Sequence, residues 1–190
     1  MSLINILEKR RSYYQINKDL PVVEKEVIQK IKQITELVPD AFNMKSSKIV
    51  VVLHEKQDEL WNTIYDCFDG KISKDKINSF RSGAGTILFF FDEMIVSEME
   101  KEFPLYAKNF ESWAVQSSAM LQINLWSGLR EMEIGASIQH YNPLIDDRIK
   151  KLYNLPSSYH LVAEMPFGGI LEEPEKKAHE NIDKRVKIIE

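Results

Sequence analysis

Arg10-Arg11-Ser12 sets two guanidinium groups and a hydroxyl on consecutive residues. Together they could offer forked, permanently charged donors and one neutral donor to a phosphate. Taken alone, the pair also suits the solvated end of a short helix, where the helix dipole favours cations. Pro39-Asp40-Ala41-Phe42-Asn43-Met44-Lys45-Ser46-Ser47 is a polar loop leading into an apolar run. Binding groups collect on such loops, although Pro, Asp, Asn and Ser are also ordinary turn formers. Phe80-Arg81-Ser82-Gly83 brings a lone Arg to the edge of a second apolar run, either to meet a ligand or to snorkel to the surface. In Gly135-Ala136-Ser137-Ile138-Gln139-His140-Tyr141-Asn142-Pro143, small residues allow close packing, and Gln139, His140 and Asn142 supply donors and acceptors. Asp183-Lys184-Arg185-Val186-Lys187 adds a basic pair near the C-terminus, within a solvated charged tail.

Other chemistries are missing. The 7 glycines are dispersed, and no G-x-x-x-x-G-K-S/T occurs. Gly83-Ala84-Gly85 begins a G-x-G, but Leu88 stands where a third glycine should be, so a P-loop and a Rossmann fingerprint are both disfavoured. No carboxylate lies at helical spacing from His140, and no nucleophile elbow is present. His54, His160 and His179 are isolated and Cys67 is the single cysteine, which disfavours a metal site and excludes an intrachain disulfide. No catalytic side chain is assigned.

The 190 residues fit one domain, spanning 1–190, able to bury roughly 70% of its unfolded surface. A formal charge of −4, with no basic stripe interleaved with aromatics, argues against a nucleic-acid partner. The N-terminus lacks the apolar core of a signal peptide, and the lone cysteine suits a reducing, cytoplasmic setting. Ser112 to Leu129 carries no charge, yet Gln116, Ser117, Ser118, Gln122, Asn124 and Ser127 make it too polar for lipid, so no membrane partner is expected.

These groups need elements to hold them. Ser2 caps a short helix from Leu3 to about Lys9, with Leu3, Ile4 and Leu7 on one face; residues 10–14 read as extended. Val27, Ile28, Ile31, Ile34, Leu37 and Val38 mark a helix from about Glu24 to Val38. Lys48–Leu53 and Thr86–Phe91 read as strands, the second buried on both faces. A helix carrying Leu60, Trp61, Ile64, Tyr65 and Phe68 ends at Gly70. Another runs from Asp92 to about Phe103, and Pro104 separates it from the uncharged helix, Ser112 to Met132. Its Trp113, Met120, Ile123, Trp126 and Leu129 are expected to be buried, either between subunits or at the domain centre. Gly135–Gln139 is a short strand, Asp146–Tyr153 a helix, and Tyr159–Met165 a third strong strand stopped by Pro166 and Gly168-Gly169. Val186, Ile188 and Ile189 are candidate edge-strand residues. Few strands with long, unequal spacers predict α+β or an irregular α/β sandwich.

In this order, the Arg-Arg-Ser after a short helix, the Asn loop before a Val-rich strand, the uncharged helix and the late Lys-Arg resemble the nitroreductase family of FMN-dependent proteins. Thr86–Asp92, Gly135–Pro143 and Met165-Pro166-Phe167-Gly168 look like its small subgroup related to the yeast fatty-acid-repression and nitroreductase-homologue proteins. The resemblance implies an α+β nitroreductase-like sandwich, with a central, mainly antiparallel sheet flanked by helices, forming an intertwined homodimer with FMN at the subunit interface. It implies that Arg10, Arg11 and Ser12 hold the phosphate and ribityl chain, with Tyr14 in the same set where the commoner pattern has a basic residue. Arg185 and Lys184 would close on the phosphate, Asn43 would reach the cofactor from the partner subunit, and Arg81 would lie near the flavin pyrimidine edge. Gln139 and His140 would run beside the isoalloxazine, their backbone N–H groups meeting N5 and O4. Electrons would pass from NADH or NADPH through N5 to a small-molecule acceptor, a nitroaromatic or quinone, in ping-pong turnover. Met44-Lys45-Ser46-Ser47 replaces the commoner Gln-Pro-Trp, which leaves the donor open. The alternatives are a flavin-binding regulatory or sensing protein, linked to lipid signalling or oxidative stress, and a flavin-free interaction protein.

Overall fold

The computed structural model describes residues 2–178 and 180–190. His179 lies outside the described residues. The chain begins with α1, Leu3–Lys9, whose first turn closes when the Ser2 hydroxyl accepts from the Asn5 N–H. Its Leu3, Ile4 and Leu7 all face outward and meet no core within the chain. Strand β1 (Ile16–Asn17) and helix α2 (Glu24–Leu37) follow. Val27 and Ile31 of α2 are buried, but Leu37 at the end of the same stripe is exposed. Then come β2 (Ser47–Leu53), α3 (Glu55–Cys67), α4 (Lys74–Arg81), β3 (Gly85–Asp92) and α5 (Glu93–Glu102). The chain continues through α6 (Phe110–Glu131), β4 (Gly135–Ala136), α7 (Asp146–Leu152) and β5 (Tyr159–Ile170). Pro104 opens a 3-10 turn, Pro104–Asn109, that leads directly into α6, so the uncharged helix begins before Ser112.

The sheet is antiparallel, in the order β1-β5-β3-β2, with β4 also pairing on β5. The architecture is therefore α+β, as expected. β3 is buried on both faces because its alternate side chains feed two cores. Ile87 and Phe89 pack with Leu121, Leu125 and Leu129 of α6, while Leu88 and Phe90 pack with Leu60, Trp61, Ile64 and Phe80. Each such fully buried side chain contributes roughly 1.5–3 kcal/mol by leaving water.

Three expectations need correction. β5 does not stop at Met165 but runs through Pro166 to Ile170. The Pro166 carbonyl accepts from the Ser137 N–H at 3.3 Å, so its nitrogen faces the same flank. The register sets it opposite Ser137, between the Ala136–Phe167 and Gln139–Glu164 pairs, so this rung keeps one hydrogen bond where a residue with an N–H would make two. Gly168 and Gly169 extend the strand because β1 and the following loop come close: the carbonyls of Asn17 and Asp19 fill the space a Cβ would need. Second, residues 180–190 form a 3-10 turn, Ile182–Lys184, and no strand, leaving Val186, Ile188 and Ile189 exposed at 56, 77 and 85%. Third, the short strand does not reach Gln139: β4 spans Gly135–Ala136, and Gln139 returns to β5 only as a single bridge to Glu164. Within this chain α6 is covered on one face. Leu129 is buried and Trp113 and Trp126 half-buried, but Met120 and Ile123 remain 39% and 38% exposed. Among the described residues, no helix is long and apolar enough to cross a membrane.

Candidate functional site

At the exit of α1 the backbone is pinned from two sides. The Lys9 carbonyl accepts from the Tyr13 hydroxyl at 3.0 Å and from Arg130 Nε at 3.1 Å, while Arg130 Nη1 pairs with Glu133 at 2.7 Å. Tyr13 is buried against Gly135, where its Cβ and Cγ, together with Ile170 Cγ1, crowd the space a Cβ would need. The Ala136 carbonyl accepts from the Tyr13 N–H and from Trp126 Nε1, both at 3.0 Å, and Ser12 bridges to Ala136. This framework holds Arg10 with its guanidinium 4.0 Å above the Trp126 ring, a cation–π geometry.

Arg10 Nε is buried and has no hydrogen-bond partner among the described residues. Burial, and then the neighbouring Arg11, push the Arg10 pKa below its ordinary value, yet an arginine remains a cation. A half-buried guanidinium whose Nε is buried and unpartnered among the described residues, beside a second cation, is a demand for an anion. Arg11 donates to the Glu175 carbonyl at 2.6 Å. Arg11, Ser12, Tyr14 and Gln15 then line a cavity of about 420 Å³, closed on its far side by Glu172–Glu175.

The segment after β4 runs along β5. Ser137 N–H donates to the Pro166 carbonyl, Gln139 N–H to the Glu164 carbonyl at 2.7 Å, and Tyr141 N–H to Glu164 Oε2 at 3.0 Å. Since alternate N–H groups of extended chain point to opposite sides, those of Ile138 and His140 face away from β5. The Gln139 N–H is therefore spent inside the sheet, its buried side chain donates to Ser137 Oγ at 3.0 Å, and exposed His140 presents the outward donor.

The Asn43 loop is anchored by Asp40 Oδ2, which accepts from Ser46 N at 2.8 Å, Ser46 Oγ at 3.1 Å and Ser47 N at 3.4 Å. Phe42 and Asn43 have φ of 54° and 51°, a left-handed conformation that costs a bulky residue energy. Aromatic packing holds Phe42 there: Phe103, Phe110 and Trp113 have ring centroids 5.0, 5.2 and 5.5 Å away. Asn43 is exposed and borders a separate cavity of about 500 Å³ between α2, β2 and α6. That cavity shares no lining residue with the Arg11–Ser12 cavity.

Two other expected groups also lie apart within this chain. Arg81 donates to Asn62 Oδ1 at 2.8 Å, approaches Asp58 at 3.9 Å, and lines neither cavity. Lys184 and Arg185 stand exposed in the tail, with Arg185 paired to Glu180 at 3.0 Å. The structure thus joins Arg10, Arg11, Ser12 and Tyr14 in one framework with the Gly135–Tyr141 segment.

Sequence reasoning missed Tyr13, Phe42, Trp126, Arg130 and Glu164. Arg130 is the first charge after the uncharged stretch, and Glu164 is the one carboxylate in a strand otherwise apolar from Leu161 to Phe167. Both signals were available. Phe42 carried none, because its conformation depends on rings from distant segments.

The sequence pattern of the nitroreductase family matches residues 7–169. The yeast (Saccharomyces cerevisiae) protein HBN1 is 27% identical over 179 residues, covering 93% of this chain and 92% of its own. Yeast nitroreductase FRM2 is 25% identical over 181 residues, covering 94% and 93%. Among solved structures, nitroreductase CinD from Lactococcus lactis in complex with chloramphenicol superposes with a TM-score of 0.95 at 34% identity, covering 100% of both chains. The same protein in complex with 4-nitrophenol gives 0.91 at 33% identity over 100% of both. With a family match over most of its length and a fold in keeping with it, this chain belongs to the nitroreductase family.

Proposed function

We propose that this oxidoreductase of the nitroreductase family binds FMN and passes electrons from NADH or NADPH to nitroaromatic or quinone-type acceptors by a ping-pong mechanism. The observation that carries the reading is Arg10, stacked on Trp126 with a buried, unpartnered Nε and Arg11 beside it. Such a site fits the terminal phosphate of a mononucleotide, and FMN is typical of the family. Bound FMN would supply a centre that accepts hydride and gives it up, which is why no acid–base dyad is needed.

The chain's own residues then have positional roles. Arg10, Arg11 and Ser12 hold the phosphate and ribityl chain, and Tyr14 flanks them. The outward His140 N–H offers a donor to the ring edge, with Gln139 locking the segment behind it. Asn43 serves the partner subunit's cofactor, consistent with its place on a different cavity from Arg11. Lys184 and Arg185 reach the phosphate once the tail is ordered by a partner. Arg81 would join by exchanging its bond to Asn62. The homodimer reading is favoured by two features: β2 is an open sheet edge, and the tail carries exposed Val186, Ile188 and Ile189. CinD in complex with chloramphenicol and 4-nitrophenol supports nitroaromatics as the acceptor class.

The visible spectrum of the protein titrated with FMN tests the cofactor, and steady-state NAD(P)H oxidation with 4-nitrophenol tests the chemistry. Flavin bands with parallel double-reciprocal lines are expected. Intersecting lines would exclude ping-pong turnover, a bound flavin that NAD(P)H does not reduce would favour a sensing role, and a protein that stays colourless would sink the reading.

A further inference from the structure

Glu164 stands directly behind the segment that the proposed function sets against the redox edge of the cofactor, and that function leaves its side chain without a role. It lies in the middle of β5 with 0% exposure. Its backbone exchanges two bonds with Gln139, at 2.7 and 3.0 Å. The next bond of that ladder should go from Tyr141 N–H to the carbonyl of residue 162. Here, however, β5 is irregular: Phe89 pairs with Ala163 and Phe90 with Leu161, so Val162 is passed over. The Glu164 carboxyl turns to take that bond instead, accepting from Tyr141 N–H at 3.0 Å.

Its other oxygen, Oε1, is buried without a partner among the described residues, as are Asn142 Oδ1 and Asp146 Oδ1. A leucine would fill the place without stranding an oxygen, but it would leave the Tyr141 N–H without an acceptor. We propose that Glu164 is a positioning residue for the cofactor's redox edge: its backbone N–H, through the Gln139 carbonyl, sets the peptide that carries the His140 N–H, and its carboxyl pins Tyr141 N–H and so holds the next peptide, fixing the segment on both sides of His140. This rests on the FMN reading of the site.

The groups around it are of both signs. Asp146 of α7 acts on it directly, and Lys150 of α7 and His160 of β5 act in turn on Asp146, His160 also pairing with Glu93 at 3.2 Å and Lys150 lying 3.5 Å from Asp147; Tyr141 comes from the segment itself, and β3 presents Leu88 opposite. Burial, and secondarily the charge of Asp146, push the Glu164 pKa up to about 8. At neutral pH the carboxyl is therefore protonated and its grip on Tyr141 is that of a neutral acceptor. Above about pH 8 the carboxylate forms, the bond becomes charge-assisted, and a negative charge arises behind the redox edge.

Glu164→Leu and Glu164→Gln test this, the first removing the acceptor and the second keeping an uncharged one. In the apoprotein, amide hydrogen exchange should show Tyr141 losing protection in Glu164→Leu while Gln139 keeps its own, with Glu164→Gln restoring it. In the FMN-loaded protein, Glu164→Leu should weaken FMN binding about tenfold, the loss of roughly one buried hydrogen bond, and shift the flavin midpoint potential. The wild-type potential should fall more steeply with pH above about 8 than that of Glu164→Gln, a difference a merely structural carboxyl would not produce. Should Glu164→Leu fail to fold, the pH comparison with Glu164→Gln decides alone. Unchanged Tyr141 protection in Glu164→Leu, or superimposable potential–pH curves for wild type and Glu164→Gln, overturns the proposal even if FMN binds normally. A wild type that takes up no FMN would instead overturn the functional reading and the redox-edge role with it, whatever the exchange data show.

Discussion

Arg10 illustrates how much a single side chain depends on its setting. Its stacking on Trp126 and its buried Nε turn an ordinary surface-type residue into a donor that lacks an acceptor. Replacing it with Ala removes a charge-assisted contact worth about 1.5–3 kcal/mol, so FMN affinity measured by fluorescence quenching should drop roughly 10- to 100-fold. The apoprotein should lose little stability, since no internal hydrogen bond of the Arg10 side chain is broken. Glu164 behaves in the opposite way, because its effect is already present in the apoprotein. Its folded pKa, about 8, lies above its ordinary 4.5. The folded state therefore binds the extra proton, and the associated stability is complete below pH 4.5 and lost as pH rises through about 8. Urea unfolding of the apoprotein should show stability falling across that window, and Glu164→Gln should flatten the fall. Asp146, its pKa also raised by burial, acts in the same direction and will leave a residual slope.

At the scale of elements, β5 is the organiser. It pairs with β1, β3 and β4 and supplies the bonds that hold the Gly135–Tyr141 segment. Its C-terminal half works only because two residues lack side chains: a Cβ on Gly168 would collide with the Asn17 carbonyl, which is backbone and cannot turn aside. Gly168→Ala should therefore destabilise the protein by more than about 2 kcal/mol, read as a lower Tm by differential scanning calorimetry. Helix α6 shows the converse, an element left unfinished. One face fills the core through Leu121, Leu125 and Leu129, while Val115, Met120 and Ile123 line up uncharged and exposed on the other. The spacing of Leu121, Leu125 and Leu129 follows the helical period, yet of these only Leu129 was among the residues expected from sequence to be buried; Met120 and Ile123, also expected to be buried, lie on the face this chain leaves uncovered.

For the whole molecule, the exposed features belong together. Leu3, Ile4 and Leu7 of α1, the outer face of α6, the open edge of β2 and the Val186, Ile188 and Ile189 side chains of the charged tail are surfaces that one chain leaves in water. A second copy would cover them and would bring an Asn43 loop to a site that its own chain keeps separate. If the tail adds a strand to the β2 edge of its partner, Ile188→Glu together with Ile189→Glu should shift the sedimentation coefficient from dimer to monomer and lower FMN affinity at the same time. Loss of the dimer with FMN still tightly bound would separate the two and remove the interface from the proposed site.

The sequence by itself narrowed the class to α+β or an irregular α/β sandwich, located every helix except α4 and every strand except β1, and displayed the Arg10-Arg11-Ser12 motif. Periodicity, the Ser2 cap and the β-branched and aromatic runs are local, and local signals survive in a linear chain. It also identified the Gly135–Pro143 segment as a place where polar groups gather, but not which of its N–H groups would be free. That depended on the register against β5, which gives the Gln139 N–H to Glu164 and leaves His140 facing outward. Only the tertiary structure decided that Arg10 would lie on Trp126, 116 positions further along the chain. Only it decided that Pro166 would sit inside a strand, and that a carboxyl would replace a backbone carbonyl where β5 skips Val162. These outcomes share one cause: each turns on which groups from distant segments satisfy, or fail to satisfy, a buried donor or acceptor, and a hydrogen-bond partner across a fold has no spacing in the sequence.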